Sequence, residues 1–118
     1  MQIFKEYTFE AAHRLPYMPE GHPCGRIHGH SWKAVLFLDG ELESQKGWVL
    51  DFNVLDECFK PTLALIDHNY LNEIEGLENP TCEVVAKWIW ERIKPEIPQL
   101  SRIEVWETKD CGSSYAGS

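Results

Sequence analysis

The alternation in residues 2–13, QIFKEYTFEAAH, limits the fold more than any other stretch of this 118-residue chain. Its β-branched and aromatic content is that of a strand, and a period of two places Ile3, Tyr7, Phe9, Ala11 and His13 on one face. A second stretch, HSWKAVLFLDG from His30, repeats the pattern, with His30, Trp32, Ala34, Leu36 and Leu38 sharing a face. Between them, residues 14–27 hold three prolines and two glycines and form a loop of a length that is usually functional. The turn-rich GELESQKG then predicts a hairpin-like return to a short extended piece at Trp48–Leu50.

Helical spacing takes over from Asn53 to Ile66, where Val54, Leu55, Cys58, Phe59, Leu63 and Ile66 recur. Pro61 lies inside this run and is expected to kink or divide the helix. After the polar connection DHNYLNEIEGLENP, Asn79 reads as an N-cap with Pro80 at the first helical position. This second helix carries the stripe Val84, Val85, Trp88, Ile89 and Ile93, and Pro95 and Pro98 end it. SRIEVWETK is a final long strand in which Ile103, Val105 and Glu107 face one way, with another short strand near the end. The order predicts an α+β domain over residues 1–118: four antiparallel strands with two helices on one face.

A hydrophobic content of 43% with 12% aromatics fills the core of one modest domain. No window approaches the roughly 18 apolar residues of a membrane span, and MQIFKEYTFE lacks the apolar centre of a signal peptide, so a cytoplasmic protein without a membrane partner is expected. Thiols stay reduced there, so Cys24, Cys58, Cys82 and Cys111 need form no bridges, and the absence of a C-x-x-C pair argues against a zinc ribbon. A net charge of −8 with scattered Lys and Arg disfavours nucleic acid; an anionic small molecule remains open if a pocket supplies local positive charge.

The chemistry gathers in HPCGRIHGH, His22 to His30. Histidines two apart on a strand project to one face, so His28 and His30 can grip one ion, and His13, ending the neighbouring strand, is the best third ligand. Three histidines and an open position are the arrangement of a catalytic zinc. A lone histidine is more often a hydrogen-bonded loop residue; the H-x-H pair with a strand-end histidine shifts the balance to metal. Cys24 lies in a polar loop beside Arg26, and spacing alone leaves it as base, nucleophile or fourth ligand. Asp67 and His68 form an acid–base pair by composition, although neighbours do not readily bond side by side, which leaves either free to meet Cys24. Glu107 extends an apolar face, where a carboxylate is costly unless paired, either in a surface ion pair or as an anchor accepting two N–H bonds. Cys58 reads as core, and Cys82 and Cys111 carry no assigned role.

Together FEAAHRLP, CGRIHGHSW, GWVLDF, IDHNYLN, ENPTCEVVAKWIW and WET resemble, in order and over nearly the whole chain, the 6-pyruvoyltetrahydropterin synthase family. The short C-x₃-H-x-H spacing is similar to the bacterial, carboxy-product branch, since the pyruvoyl-forming enzymes of animals carry an insertion there. Ile66 replaces the usual Leu before the D-H pair, and the tail KDCGSSYAGS matches less well. The resemblance implies the tunnelling fold, small sheets joined edge to edge into a barrel, as a homohexamer of two trimers. Pairing of subunits would cover open strand edges.

Carried onto this chain, the resemblance makes His13, His28 and His30 the ligands of one Zn²⁺ per subunit. It makes Cys24 the proton-abstracting base, Asp67 and His68 its relay, Glu107 the pterin anchor, and Pro80 and Thr81 part of the pterin pocket. The implied reaction is 7,8-dihydroneopterin triphosphate to 6-carboxy-5,6,7,8-tetrahydropterin, acetaldehyde and triphosphate, on the path to queuosine, with Mg²⁺ a further ion for the triphosphate. The alternatives are triphosphate elimination without carbon–carbon cleavage, a zinc hydrolase with Glu107 or Asp67 as base, and a non-enzymatic binding domain with a Cys-His₃ zinc site.

Overall fold

Two long antiparallel strands, β1 (Gln2–His13) and β2 (His28–Asp39), carry most of the sheet in a computed structural model that describes all of residues 1–118. The remaining elements are helix α1 (Phe52–Ile66), strand β3 (Asn69–Tyr70), helix α2 (Cys82–Ile93), β4 (Leu100–Trp106) and β5 (Gly112–Tyr115). The sheet has five strands in the order β3-β1-β2-β4-β5, one more than expected. It is not purely antiparallel, because β3 runs parallel to β1 through Ala11–Asn69 and Ala12–Tyr70. Two residues are too few for any alternation to register in the sequence, which is why β3 reads there as a polar connection.

Register sets the two faces. β1 and β2 pair Phe9 with Trp32, Ala11 with His30 and His13 with His28 on the helix side. Leu36, Leu38, Ile103 and Val105 continue this side and meet Leu55, Phe59 and Ile66 of α1 and Val85, Ile89 and Ile93 of α2, all fully buried. Truncating one such residue, Leu36→Ala, costs about 2–5 kcal/mol, because the close-packed surroundings relax only in part.

The helices differ from expectation at their breaks. α1 is undivided at Pro61. The ring removes the bond to the Glu57 carbonyl, but Pro61 and Glu57 are both exposed, so water takes the orphan acceptor. α2 starts later than Asn79: Thr81 is its N-cap, accepting the Val84 N–H at 3.2 Å, and Pro80 stays outside the helix. Trp48–Leu50 forms no strand; β2 is already flanked by β1 and β4, so a returning segment finds no edge to pair with. β4 stops at Trp106, and Glu107 opens the turn into β5, its N–H bonded to the Cys111 carbonyl at 3.0 Å. On its outer side β1 is paired only at Ala11–Ala12, so most of that edge is open. No helix is long and apolar enough to cross a membrane.

Candidate metal centre

His13 and His28 face each other across the β1–β2 register, His30 follows two residues on, and Glu107 arrives from the end of β4. One ligand-type atom from each of these four lies within 4.8 Å of the others. Glu107 Oε1 sits 3.1 Å from His13 Nε2 and 3.4 Å from His30 Nε2. The expected carboxylate on the apolar face thus lies among the histidines.

The backbone decides which ring nitrogens are free. His13 Nδ1 lies 2.8 Å from the Pro80 carbonyl, and His28 Nδ1 lies 2.7 Å from the Arg26 carbonyl. A carbonyl only accepts, so each Nδ1 holds the proton and each Nε2 presents a lone pair to the cluster. Nε2 of His13 and Nε2 of His30 are buried without a hydrogen-bond donor. Burial, the largest cause, holds both rings below the ordinary histidine pKa, against the opposing pull of Pro80 on His13 and of Glu107 on both. Neutral nitrogens facing a carboxylate oxygen set acceptor against acceptor, and a cation among them satisfies all of them at once. The donor set fits a divalent metal of the zinc type, three imidazoles with a carboxylate at hand.

The surroundings lock these rings. Trp32, 1% exposed, packs edge-on to His13 and His30 with ring centroids 4.9 and 5.7 Å away, and its indole N–H donates to the Ala11 carbonyl. Asn72 clamps the residue after His13: its Oδ1 accepts the Arg14 N–H at 2.9 Å, and its Nδ2 donates to the Arg14 carbonyl at 2.8 Å. Sequence reasoning missed Asn72 and the two carbonyl partners. Backbone acceptors leave no side-chain signature, and Asn72 sits in NYLN with nothing to mark it.

Cys24 sits on a short 3₁₀ turn, Pro23–Gly25, half-buried and outside the four-residue cluster. Its thiol makes no hydrogen bond in the chain. The loop is pinned to the end of β1 by Leu15 N–H to the Cys24 carbonyl (2.7 Å) and Arg14 Nε–H to the Gly25 carbonyl (3.0 Å), while His22 Nδ1 accepts the Cys24 N–H.

Asp67 and His68 nevertheless meet, with His68 Nδ1 2.9 Å from Asp67 Oδ1 as an ion-pair contact. His68 adopts the left-handed conformation, φ 59°, which folds its ring back toward its neighbour. Asp67 also accepts the Glu10 N–H at 2.9 Å; that bond first, and then His68, hold its carboxyl below the usual carboxylate range. Neither residue bonds Cys24 within the chain. Pro80 and Thr81 are engaged with His13 and the α2 N-terminus. Cys58 and Cys82 pack against the core, burial pushing their thiols up to about 12 and about 11.

Residues 2–118 match the family model described as 6-pyruvoyl tetrahydropterin synthase. The 6-carboxy-5,6,7,8-tetrahydropterin synthase of Synechocystis sp. is 40% identical, the alignment covering 96% of this chain and 91% of that one. The dihydroneopterin monophosphate aldolase of Pyrococcus furiosus is 32% identical over 94% of this chain and 93% of that one. The solved Caenorhabditis elegans 6-pyruvoyl tetrahydropterin synthase superposes with a TM-score of 0.92 at 25% identity, covering 100% of this chain and 96% of that one. The single-chain fold expected of a tunnelling-fold protein is the fold found, with one strand more.

Proposed function

Because this chain belongs to the 6-pyruvoyl tetrahydropterin synthase family, we propose that it is a 6-carboxytetrahydropterin synthase on the path to queuosine. It converts 7,8-dihydroneopterin triphosphate and one water to 6-carboxy-5,6,7,8-tetrahydropterin, acetaldehyde and triphosphate. The observation that carries the reading is a three-histidine cluster with a cysteine close in sequence but outside it, in a chain 40% identical to a relative bearing that name.

His13, His28 and His30 would hold the zinc. When bound, zinc polarises the substrate's side-chain hydroxyls and stabilises oxygen anions that develop there. Cys24, uncoordinated, takes an activated side-chain proton as thiolate. His68, its Nδ1 held by Asp67, returns protons at Nε2 as the ring is reduced internally. Glu107 is the pterin anchor: a pterin presents an amino group and a ring N–H side by side, and one carboxylate accepts both. Its present contacts are the two buried nitrogens that a metal would take over, and at 27% side-chain exposure it has room to turn toward a ligand. Pro80 acts through His13, and Thr81 lies beside it at the edge of the pterin pocket.

Cys24 and the Asp67–His68 pair do not meet within one chain, so the complete site forms between copies. The open edge of β1 offers the surface for pairing into the hexamer of two trimers expected of a barrel. The name of the Pyrococcus relative favours a second reading, aldol cleavage of a dihydroneopterin phosphate. Incubation of the zinc-loaded protein with dihydroneopterin triphosphate separates them. Acetaldehyde, free triphosphate and the 6-carboxy product are expected; a pyruvoyl product, or cleavage with the phosphates still on the released fragment, would replace this reading.

A further inference from the structure

A second cavity, of about 650 Å³, lies on the sheet face turned away from the helices. There the β1–β2 register pairs Thr8 with Lys33 and Glu10 with Ser31, while Thr108 and Lys109 close one side and Asp67 and His68 the other. Glu10, Ser31 and His68 also line the groove that reaches Ala12, Gly29 and His30. One trough therefore runs from Ala12 and Gly29 past His68 to the two lysines, on the face opposite the His30 ring. From Ala12 to Thr8 it covers four strand steps, about 13 Å at the ordinary rise per residue.

Its polar groups divide by role. The acceptors are engaged: Glu10 takes the Ser31 hydroxyl at 2.6 Å, and Asp67 takes the Glu10 N–H and faces His68. The donors keep capacity to spare. Lys109 is exposed and has no carboxylate partner. Lys33 holds one long ion pair, to the exposed Glu6 at 3.7 Å, and its ammonium rests over the Trp106 ring. The Thr8 hydroxyl makes no bond, and Thr108 Oγ1 only accepts, from the Asp110 N–H, so its own proton is available. Donors with bonding capacity to spare, two of them cationic, suit a ligand rich in anionic oxygen and poor in protons, and supply locally the positive charge that a chain of net charge −8 lacks overall.

We propose that this trough is a polyphosphate subsite, in which Lys33, Lys109 and the hydroxyls of Thr8 and Thr108 hold the triphosphate of the substrate. The identity of the ligand rests on the pterin triphosphate reading; its chemistry rests on the trough. In that substrate the phosphates lie beyond the side-chain hydroxyls, at the end remote from the ring. The trough likewise leads away from the relay histidine, and it serves whichever metal centre His68 serves.

Titration calorimetry with inorganic triphosphate tests this, on metal-loaded and on chelated protein, so that coordination of the anion by a metal is separated from binding by the lysines. Wild type binds. Lys33→Ala and Lys109→Ala each weaken binding about tenfold and together about a hundredfold, one charge-assisted contact per lysine. The arginine replacements retain binding, and so does Lys87→Ala on the exposed face of α2. All these side chains are wholly or partly exposed, so melting temperatures stay near that of wild type. With dihydroneopterin triphosphate, the double alanine variant raises KM and spares kcat. Unchanged triphosphate affinity in the double variant, or an equal loss in Lys87→Ala, overturns the subsite. A wild type that binds triphosphate through both lysines without turning over the pterin supports the subsite and sinks the proposed reaction. Normal turnover with an unmoved KM in the double variant does the reverse.

Discussion

At the metal centre His13 is wholly buried, its ring held by the Pro80 carbonyl, wedged by Trp32, and its backbone neighbour clamped by Asn72. At the proposed relay, His68 leaves 77% of its side chain in solvent, and the one carboxylate it meets is that of Asp67. The same chain thus locks one cluster in place and leaves the other pair open. The contrast suits the two tasks proposed for them. A metal needs its ligands held to within fractions of an ångström before it arrives, whereas a proton relay that serves another copy must stay reachable until assembly. Cys24 stands between these extremes, on a loop whose backbone is pinned but whose thiol is free.

The largest effects separate ligand from base. His28→Ala is expected to remove zinc and activity together. Cys24→Ala should lower turnover by at least about 10³-fold, in the range of a lost general base, with zinc content and melting temperature kept. Metal analysis beside steady-state rates checks both, and a zinc-depleted Cys24→Ala protein would make the thiol a ligand. Mixing sharpens the comparison of halves. Inactive Cys24→Ala and inactive His68→Ala, unfolded and refolded together, should regain part of the wild-type rate, since some interfaces then pair an intact Cys24 with an intact His68. Separate refolding gives none. A mixture as inactive as its parents would return the whole site to one chain.

Glu107 touches the histidine cluster and is also the proposed pterin anchor, and Glu107→Gln distinguishes these roles. As pterin anchor, it loses one acceptor and sets a donor against a donor, so kcat/KM falls about 10²-fold or more while zinc affinity holds. As a fourth ligand, zinc affinity falls instead. Asn72→Ala probes the locked half more gently. It touches no ligand, so a roughly tenfold loss of zinc affinity, the usual size for an outer-shell partner, should come with little change in kcat at saturating zinc. An unchanged affinity would mean that Asn72 merely ties β1 to the following loop.

Much of the locked half was legible in the sequence, because its grammar is periodic. H-x-H on a strand, opposite a strand-ending histidine, gives one face and one register, and Glu107 follows from Ile103 and Val105 by the same period. What the sequence hid has a common cause: choices made by the backbone. The Asp67–His68 bond depends on a left-handed φ at a non-glycine residue, which no residue type announces. Pro80 matters through its carbonyl, which is free only because Thr81, two residues later than expected, caps α2. Pro61 does not divide α1 because the carbonyl it orphans faces water, a fact of burial rather than of propensity. The two-residue β3 is invisible to any periodicity, yet it brings the chain just after His68 against the end of β1.

The smallest expected effect concerns the open half alone. Hydrogen bonds from Glu10 N–H and His68 hold the Asp67 carboxyl below its usual pKa in the folded chain. A depressed acid contributes stability that is fully present above its unfolded value, near pH 3.8, and that is lost as pH falls through the lower folded value. Asp67→Asn keeps an oxygen for the Glu10 N–H and removes only the charge and its attraction for His68. With over a third of the Asp67 side chain exposed, solvent screens that attraction, so the stability difference should be small near neutrality. It should vanish at acid pH, where the wild-type carboxyl is protonated as well. Acid also strips metal from histidines, but that loss is common to both proteins and cancels in the difference. Melting temperatures of wild type and Asp67→Asn, compared from neutral to acid pH, should therefore converge as pH falls below the aspartate range. A gap that persists or widens there would mean that Asp67 stabilises through packing rather than charge, and the relay would then be as locked as the metal centre.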